Sequence, residues 1–160
     1  LSRGRMERRD IIGPHINGAT VHPVPLRSTS SRGNVDNKTV LEPEDDVAHV
    51  KLGGKWRMPT DFEWTELRAK CTWTWVTNYN GSGINGSLVK ATNGNSIFLP
   101  AAGYRNSSDL RGAGSSGCYW SSFLCANYPG VAYVISFSSD HTSSGSDRYL
   151  GRSVRPVSEL

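Results

Sequence analysis

Three cysteines, four histidines and one run of acids are the groups in this 160-residue chain suited to covalent, acid–base or metal chemistry. Cys71, Cys118 and Cys125 are odd in number and lack C-x-x-C spacing, which argues against a zinc knuckle and a disulfide framework. They read as free thiols or small core residues, with a Cys118–Cys125 bridge as the alternative. A catalytic histidine needs a partner within hydrogen-bond reach. His49 lies in a short helical stretch, His141 in a polar loop, and His15 and His22 near the Arg-rich start; no Asp or Glu spacing ties any of them to a Cys or Ser. No phosphate-binding glycine loop or nucleophile motif occurs. Glu42, Glu44, Asp45 and Asp46 offer hard oxygens for a cation, but they lack alternating ligand spacing, and acids commonly open helices. The chain therefore reads as a non-enzyme that calls for no metal and no cofactor.

The formal charge of +4 invites a nucleic-acid or membrane partner until it is located. Residues 1–33 hold six Arg against Glu7 and Asp10, whereas residues 34–160 hold twelve basic and twelve acidic side chains. The body is electroneutral, so nucleic acid is not an expected partner. No run approaches the roughly 18 apolar residues of a membrane span. The chain opens on Leu1 without an apolar targeting stretch and reads as a fragment lacking its leader.

Two domains of unequal character follow. Residues 1–33 have scattered Pro14, Pro23 and Pro25, no period and a Ser/Thr/Arg tail, which suits a disordered arm. A sharper reading is a shifted frame: permissible codons for Ile11 to Val21, read from the third base, give YWSTYKWCNG, and Leu1 to Gly4 give FAWG. The coding DNA decides this, since stops in that frame exclude it.

Residues 34–160 carry the elements. Asn37 to Gly54 reads as a short helix entered at Pro43, with Val47 and Val50 facing inward and Gly53 and Gly54 as its stop. Trp56 and Met58 alternate with Lys55 and Arg57, so a strand runs into Pro59. Thr60 and Glu63 then form a capping box, Trp64, Leu67 and Cys71 mark one buried helix face, and Glu66 can pair with Lys70. Thr72 to Thr77 alternates Trp73 and Trp75 with Thr, which is either a core face or a sugar-stacking platform. Ser87 to Ala91 and Ser96 to Ala101 flank an Asn93-Gly94 hairpin turn. Arg105 to Gly117 and Ser138 to Asp147 read as polar loops, and Tyr119 to Phe123, Ala132 to Phe137 and Gly151 to Val157 as strands. Adjacent Tyr119 and Trp120 must point to opposite faces; Trp120 is assigned to the core and Tyr119 to the outside, with the reverse as the alternative. A helical start followed by short strands gives an α+β class.

The strings KTVLEPEDD, GGKWRMPTDFEWTELRAKCTWTW, NGNSIFLPAAGYR, GSSGCYWSS and GRSVRPV, in order over about Asn37 to Val157, resemble the Fibrobacter succinogenes major paralogous domain. The resemblance implies a C-type-lectin-like domain with short antiparallel strands and one or two helices. It implies a secreted or outer-surface protein of a gut-type bacterium, often a lipoprotein, whose partner is a surface protein or a glycan. The calcium-sugar signature of C-type lectins is not matched at Glu42, Pro43 and Glu44. Formylglycine-generating enzymes share that fold and use cysteines, which makes Cys118 and Cys125 the basis of an enzyme alternative; a structural adhesin module without a ligand pocket is another. The chain is also similar to targets of diversity-generating retroelements, whose scaffold persists while displayed positions vary. FAWG and YWSTYKWCNG resemble the family's upstream half, and if residues 1–33 stand as given, apolar surface around Trp56 and Val154 lacks its covering strands.

Loops that mix rigid aromatics with small polar groups suit recognition. By that criterion and the resemblance, the display positions are Asn106, Asp109, Cys118, Tyr119, Phe123, Asn127, Tyr128, His141, Asp147, Arg148 and Tyr149.

Overall fold

The computed structural model describes residues 38–138 and 140–158, so the expectations for residues 1–33, the arm and its alternative frame, lie outside the described residues. In chain order the elements are α1 (Val47–Leu52), β1 (Trp56–Arg57), α2 (Asp61–Lys70), β2 (Cys71–Val76), a 3-10 turn (Tyr79–Gly81), β3 (Gly86–Ala91) and β4 (Ser96–Pro100). There follow β5 (Tyr104–Asn106), β6 (Asp109–Arg111), β7 (Gly117–Leu124), β8 (Val131–Phe137), β9 (His141–Asp147), β10 (Gly151–Arg152) and β11 (Val157–Ser158).

The expected α+β, C-type-lectin-like class is overturned. The described residues are 45% strand and 16% helical and form several small antiparallel sheets without a clear lectin-like α+β arrangement. The sheets are β1-β11, β10-β5-β6, β2-β3-β4 and β7-β8-β9. Helix-favouring sequence is confined to the stretch up to Lys70; beyond it, β-branched and aromatic residues alternate with Ser and Thr between turns, which suits paired strands.

Local signals set the helix that precedes the sheets. The Thr60 hydroxyl accepts from Glu63 N (3.2 Å) and the Glu63 carboxylate accepts from Thr60 N (2.8 Å), a closed capping box. Both Glu63 oxygens also accept from Arg57, at 2.8 Å each. Burial opposes the Glu63 charge, but the Arg57 pair and the Thr60 hydrogen bonds outweigh it and hold the carboxyl below its ordinary value. Lys70 and Glu66 meet at 2.6 Å on the exposed face. Trp64 is buried, with Leu67 and Cys71 packed beside it.

The first helix differs from its expected form. It begins at Val47, because Asp46 is the cap: its carboxylate accepts from Ala48 N (2.8 Å), His49 N (3.1 Å) and, across the chain, Met58 N (2.8 Å). Ala48 packs with Met58 and Trp120, which leaves Val50 58% exposed, contrary to the inward Val50 expected. Val47 is half-buried against the core. Of the other acids, Glu42 pairs with Lys38.

β7 is the frame. One edge pairs with β8, from Gly117↔Phe137 to Leu124↔Ala132 with a register shift between Trp120 and Leu124. Its other edge is closed by separate segments: Trp120 N donates to Ser153 O (3.0 Å), Ser122 N to Pro59 O (2.8 Å) and Leu124 N to Thr39 O (2.8 Å). Trp120, with no exposed surface, packs with Ala48, Met58, Leu124, Ala132 and Val134 on one face. Tyr119 packs with Trp64, Val89, Leu99, Ile135 and Phe137 on the other. The alternation expected for this pair is present, but Tyr119 is not outside: it is 3% exposed because β7 is covered on both faces. Its hydroxyl donates to Pro100 O (2.9 Å), and burial pushes the phenol well above its ordinary value. Trp64 Nε1 donates to Trp120 O (3.2 Å), locking α2 onto this strand.

Three further expectations change. The 138–147 stretch is not all loop, since β9 pairs along its length with β8 although it is built of Ser, Thr, Gly, His and Asp; backbone pairing overrides weak propensity. The 105–117 stretch contains the β5–β6 hairpin. The closing strand divides into β10, on β5, and β11, on β1. Trp56 and Val154 are half-buried, with Val154 against the Trp120 core.

Candidate ligand-binding surfaces

β9 separates the expected display residues into two ends. His141 pairs with Phe137 at its start and Asp147 with Val131 at its finish, six residue steps or about 20 Å apart.

At the Asp147 end, three connections converge. Arg148 N donates to Gly130 O (2.8 Å) and Arg148 Nη1 to Pro129 O (3.2 Å), tying the 147–150 turn to the 125–130 turn. β10 then pairs Gly151 with Arg105 and Arg152 with Tyr104, which brings the β5–β6 hairpin, with Asn106 opposite Asp109, alongside. Under the junction the Arg152 guanidinium lies 5.0 Å from the Tyr104 ring centre and 5.5 Å from that of Trp120, and donates to Ser146 Oγ (2.5 Å). Outward from it stand Tyr128, 67% exposed, and Tyr149, 60% exposed, with exposed Asn127, Asp109 and Asp147 and half-buried Asn106.

The remaining display positions go elsewhere. Cys118, Tyr119 and Arg148 are buried and cannot meet a partner in this conformation, which corrects their assignment. Cys118 and Tyr119 lie inside because β7 is doubly covered, and Cys118 Sγ meets Ser136 Oγ at 3.6 Å. Arg148 lies inside because its guanidinium serves the Pro129 carbonyl. Phe123 is half-buried and meets Phe62 of α2 edge-to-face at 5.3 Å. All three cysteines are free thiols, and burial raises the Cys71 thiol pKa.

At the His141 end, β2, β3 and the β8–β9 turn enclose a small cleft of about 120 Å³ lined by Trp73, Trp75, Ser87, Phe137, Ser138, Asp140 and His141. The His141 imidazole stacks on Trp73 at 4.7 Å and 7°. Trp75 stands opposite Ser87 in the β2–β3 ladder. The Trp73–Trp75 alternation and the choice of His141 as a display position signalled this place in the sequence; Ser87 and Asp140 carried no such signal, because cross-strand register and the β8–β9 turn bring them in.

A larger cavity of about 390 Å³ lies between α1, β1 and β7, lined by residues that include Asp46, His49, Trp56, Arg57 and Ser122. Two of its charged groups are committed, Asp46 to three backbone amides and Arg57 to Glu63. Among the described residues no group of three or more His, Cys, Asp and Glu is placed to hold a metal ion, and no helix is long and apolar enough to cross a membrane.

Compared with protein-family models, curated proteins and solved structures, the chain matches none.

Proposed function

We propose that this chain is a non-enzymatic binding domain, secreted or held at the outer cell surface, which meets a partner protein through the Asp147 end. The observation that carries the reading is the pair of exposed tyrosines, Tyr128 and Tyr149, standing on turns that buried Arg148 ties together. Tyrosine supplies contact area at low entropic cost, and the neighbouring Asn and Asp side chains supply adaptable hydrogen bonds. Neither cavity is lined by these residues, which favours the flat face of a protein over a small ligand. The surface location and membership of the Fibrobacter succinogenes major paralogous domain family rest on the resemblance of strings such as KWRMPTDFEW and GSSGCYWSS. Variation of the displayed positions by a retroelement is part of the same reading, and hypervariable codons between Asn106 and Leu150 beside a reverse transcriptase gene are its expected mark.

A surface-protein array probed with the domain tests the reading. Wild type is expected to bind, and a Tyr128→Ser/Tyr149→Ser variant to lose roughly tenfold or more, as central aromatic anchors do. Wild type that binds nothing favours a structural adhesin module; copper-dependent thiol oxidation by the domain favours the enzyme alternative.

A further inference from the structure

The cleft at the His141 end gathers, beside an aromatic wall, hydrogen-bonding groups without protein partners among the described residues. Ser87 is 3% exposed, yet its hydroxyl makes no hydrogen bond among the described residues. The Trp75 indole N–H, the Asp140 carboxylate and the His141 ring nitrogens likewise have no hydrogen-bond or ionic partner among them. The contrast with neighbouring indoles is direct: Trp64 Nε1 donates to Trp120 O (3.2 Å) and Trp73 Nε1 to Leu67 O (3.3 Å). Ser87 is buried, Trp75 and His141 are half-buried and Asp140 is exposed, so polar groups without protein partners line one cleft that is open to water or a ligand.

The chemistry of the lining narrows the class. Trp73 is held between the stacked His141 ring and Phe137, whose ring centre is 5.7 Å away, so the aromatic wall is rigid. Trp75 adds a second indole beside it with its N–H still free to donate. Asp140 offers two acceptors, the Ser87 hydroxyl both donates and accepts, and one His141 nitrogen accepts in the neutral ring. A ligand that meets all of these needs an apolar C–H surface for indole and hydroxyls that donate and accept around its edge. A sugar ring has both. A phosphate or carboxylate ligand would face the Asp140 charge with no Lys or Arg in the lining to offset it. The volume of about 120 Å³ suits one ring, or one edge of a ring, and not a chain of them.

We propose that the Trp75–Ser87–Asp140–His141 cleft binds a single neutral sugar ring, with the ring's C–H surface against indole and its hydroxyls on Asp140 and Ser87. This site is separate from the protein-facing end, about 20 Å along β9.

The test uses the full chain and free methyl glycosides of glucose, galactose, mannose and N-acetylglucosamine, at up to roughly 50 mM, the range of weak single-ring binding. Saturation-transfer NMR and tryptophan fluorescence are read together. At least one glycoside is expected to receive saturation and shift the fluorescence, with Asp140→Asn and Ser87→Ala each weakening it by about tenfold, as loss of a used hydrogen bond does. Tyr128→Ser/Tyr149→Ser should leave it unchanged, so failure here and failure of the protein-facing reading are separately visible. Trp75→Phe, which keeps an aromatic ring while removing the N–H, should weaken binding and retain a cooperative melt. No saturation transfer to any glycoside overturns the proposal, as does binding that Asp140→Asn and Ser87→Ala leave intact. Preferential binding of choline chloride over every glycoside also overturns it, because that marks the cleft as a cation cage.

Discussion

The two ends of β9 are built on one strand and solve opposite problems. At the Asp147 end buried Arg148 and Arg152 tie the turns together, one through the Pro129 carbonyl and the other through Ser146 and two aromatic faces, while Tyr128 and Tyr149 are exposed. At the His141 end the aromatic side chains hold one another, and Trp75, Ser87 and Asp140 keep their hydrogen-bonding groups unspent. An exposed aromatic surface held by buried ties suits a broad partner; a small cleft with accessible polar groups on an aromatic wall suits a small one. The difference also says where each end fails: the first through its backbone ties, the second through its walls.

The largest effect should come from the part both ends share. Trp120→Ala, in a core with no exposed surface at that side chain, is expected to cost about 3–5 kcal/mol. Urea denaturation should show it, and both ends should lose function together; retention at either end would mean that it does not depend on β7. Arg148→Met separates them. Leaving the Pro129 carbonyl without its donor is expected to cost about 1–3 kcal/mol and to speed amide exchange at 125–131 while leaving 137–141 protected. Equal loosening of both ends would erase the distinction.

Acid should act on the cleft side. Glu63 caps α2, which leads directly into β2 with Trp73 and Trp75, and its carboxyl pKa is lowered in the fold. A lowered carboxyl contributes stability that is complete above its unfolded value, near 4.5, and is lost as pH falls below that through the folded value. The pair is partly exposed, so about 1 kcal/mol or less is expected after solvent screening. Melting temperature between pH 6 and 3 should fall less steeply in Glu63→Gln than in wild type, and identical slopes would show that Glu63 does not carry the effect. The smallest change is His141→Ala, which removes the stack on Trp73 at about 0.5–1 kcal/mol. Near-ultraviolet circular dichroism of the tryptophans should change, and amide exchange at the Asp147 end should not.

The candidate surfaces were legible in unequal measure. Tyr128, Tyr149, Asn127 and Asp147 could be chosen as exposed because they sit in turn-rich stretches between strands. Arg148, between two of them, has the same sequence character and is buried, because the deciding carbonyl, that of Pro129, is 19 residues away. The polar run after Ser138 read as loop for the same reason: nothing in His, Thr, Ser and Gly favours a strand, and the ladder to β8 supplies what propensity lacks. The α+β reading failed where short polar strands were underestimated, while the hairpin around Asn93 and Gly94 succeeded because the turn itself is encoded, with Gly94 at φ 86°.

By itself the sequence determined what lies within a turn of helix or a hairpin: the Thr60–Glu63 cap, the buried Trp64 face, the Trp73–Trp75 alternation and the opposition of Tyr119 to Trp120. Those features follow from hydrogen bonds and side-chain periods among near neighbours. Tertiary structure alone decided that Tyr119 is covered, that Asp46 starts α1 while also holding Met58, that Ser87 faces Trp75 and that His141 lies flat on Trp73. Each of these depends on the register or stacking of segments far apart in the chain, where no local preference says which face will meet another and which will meet water.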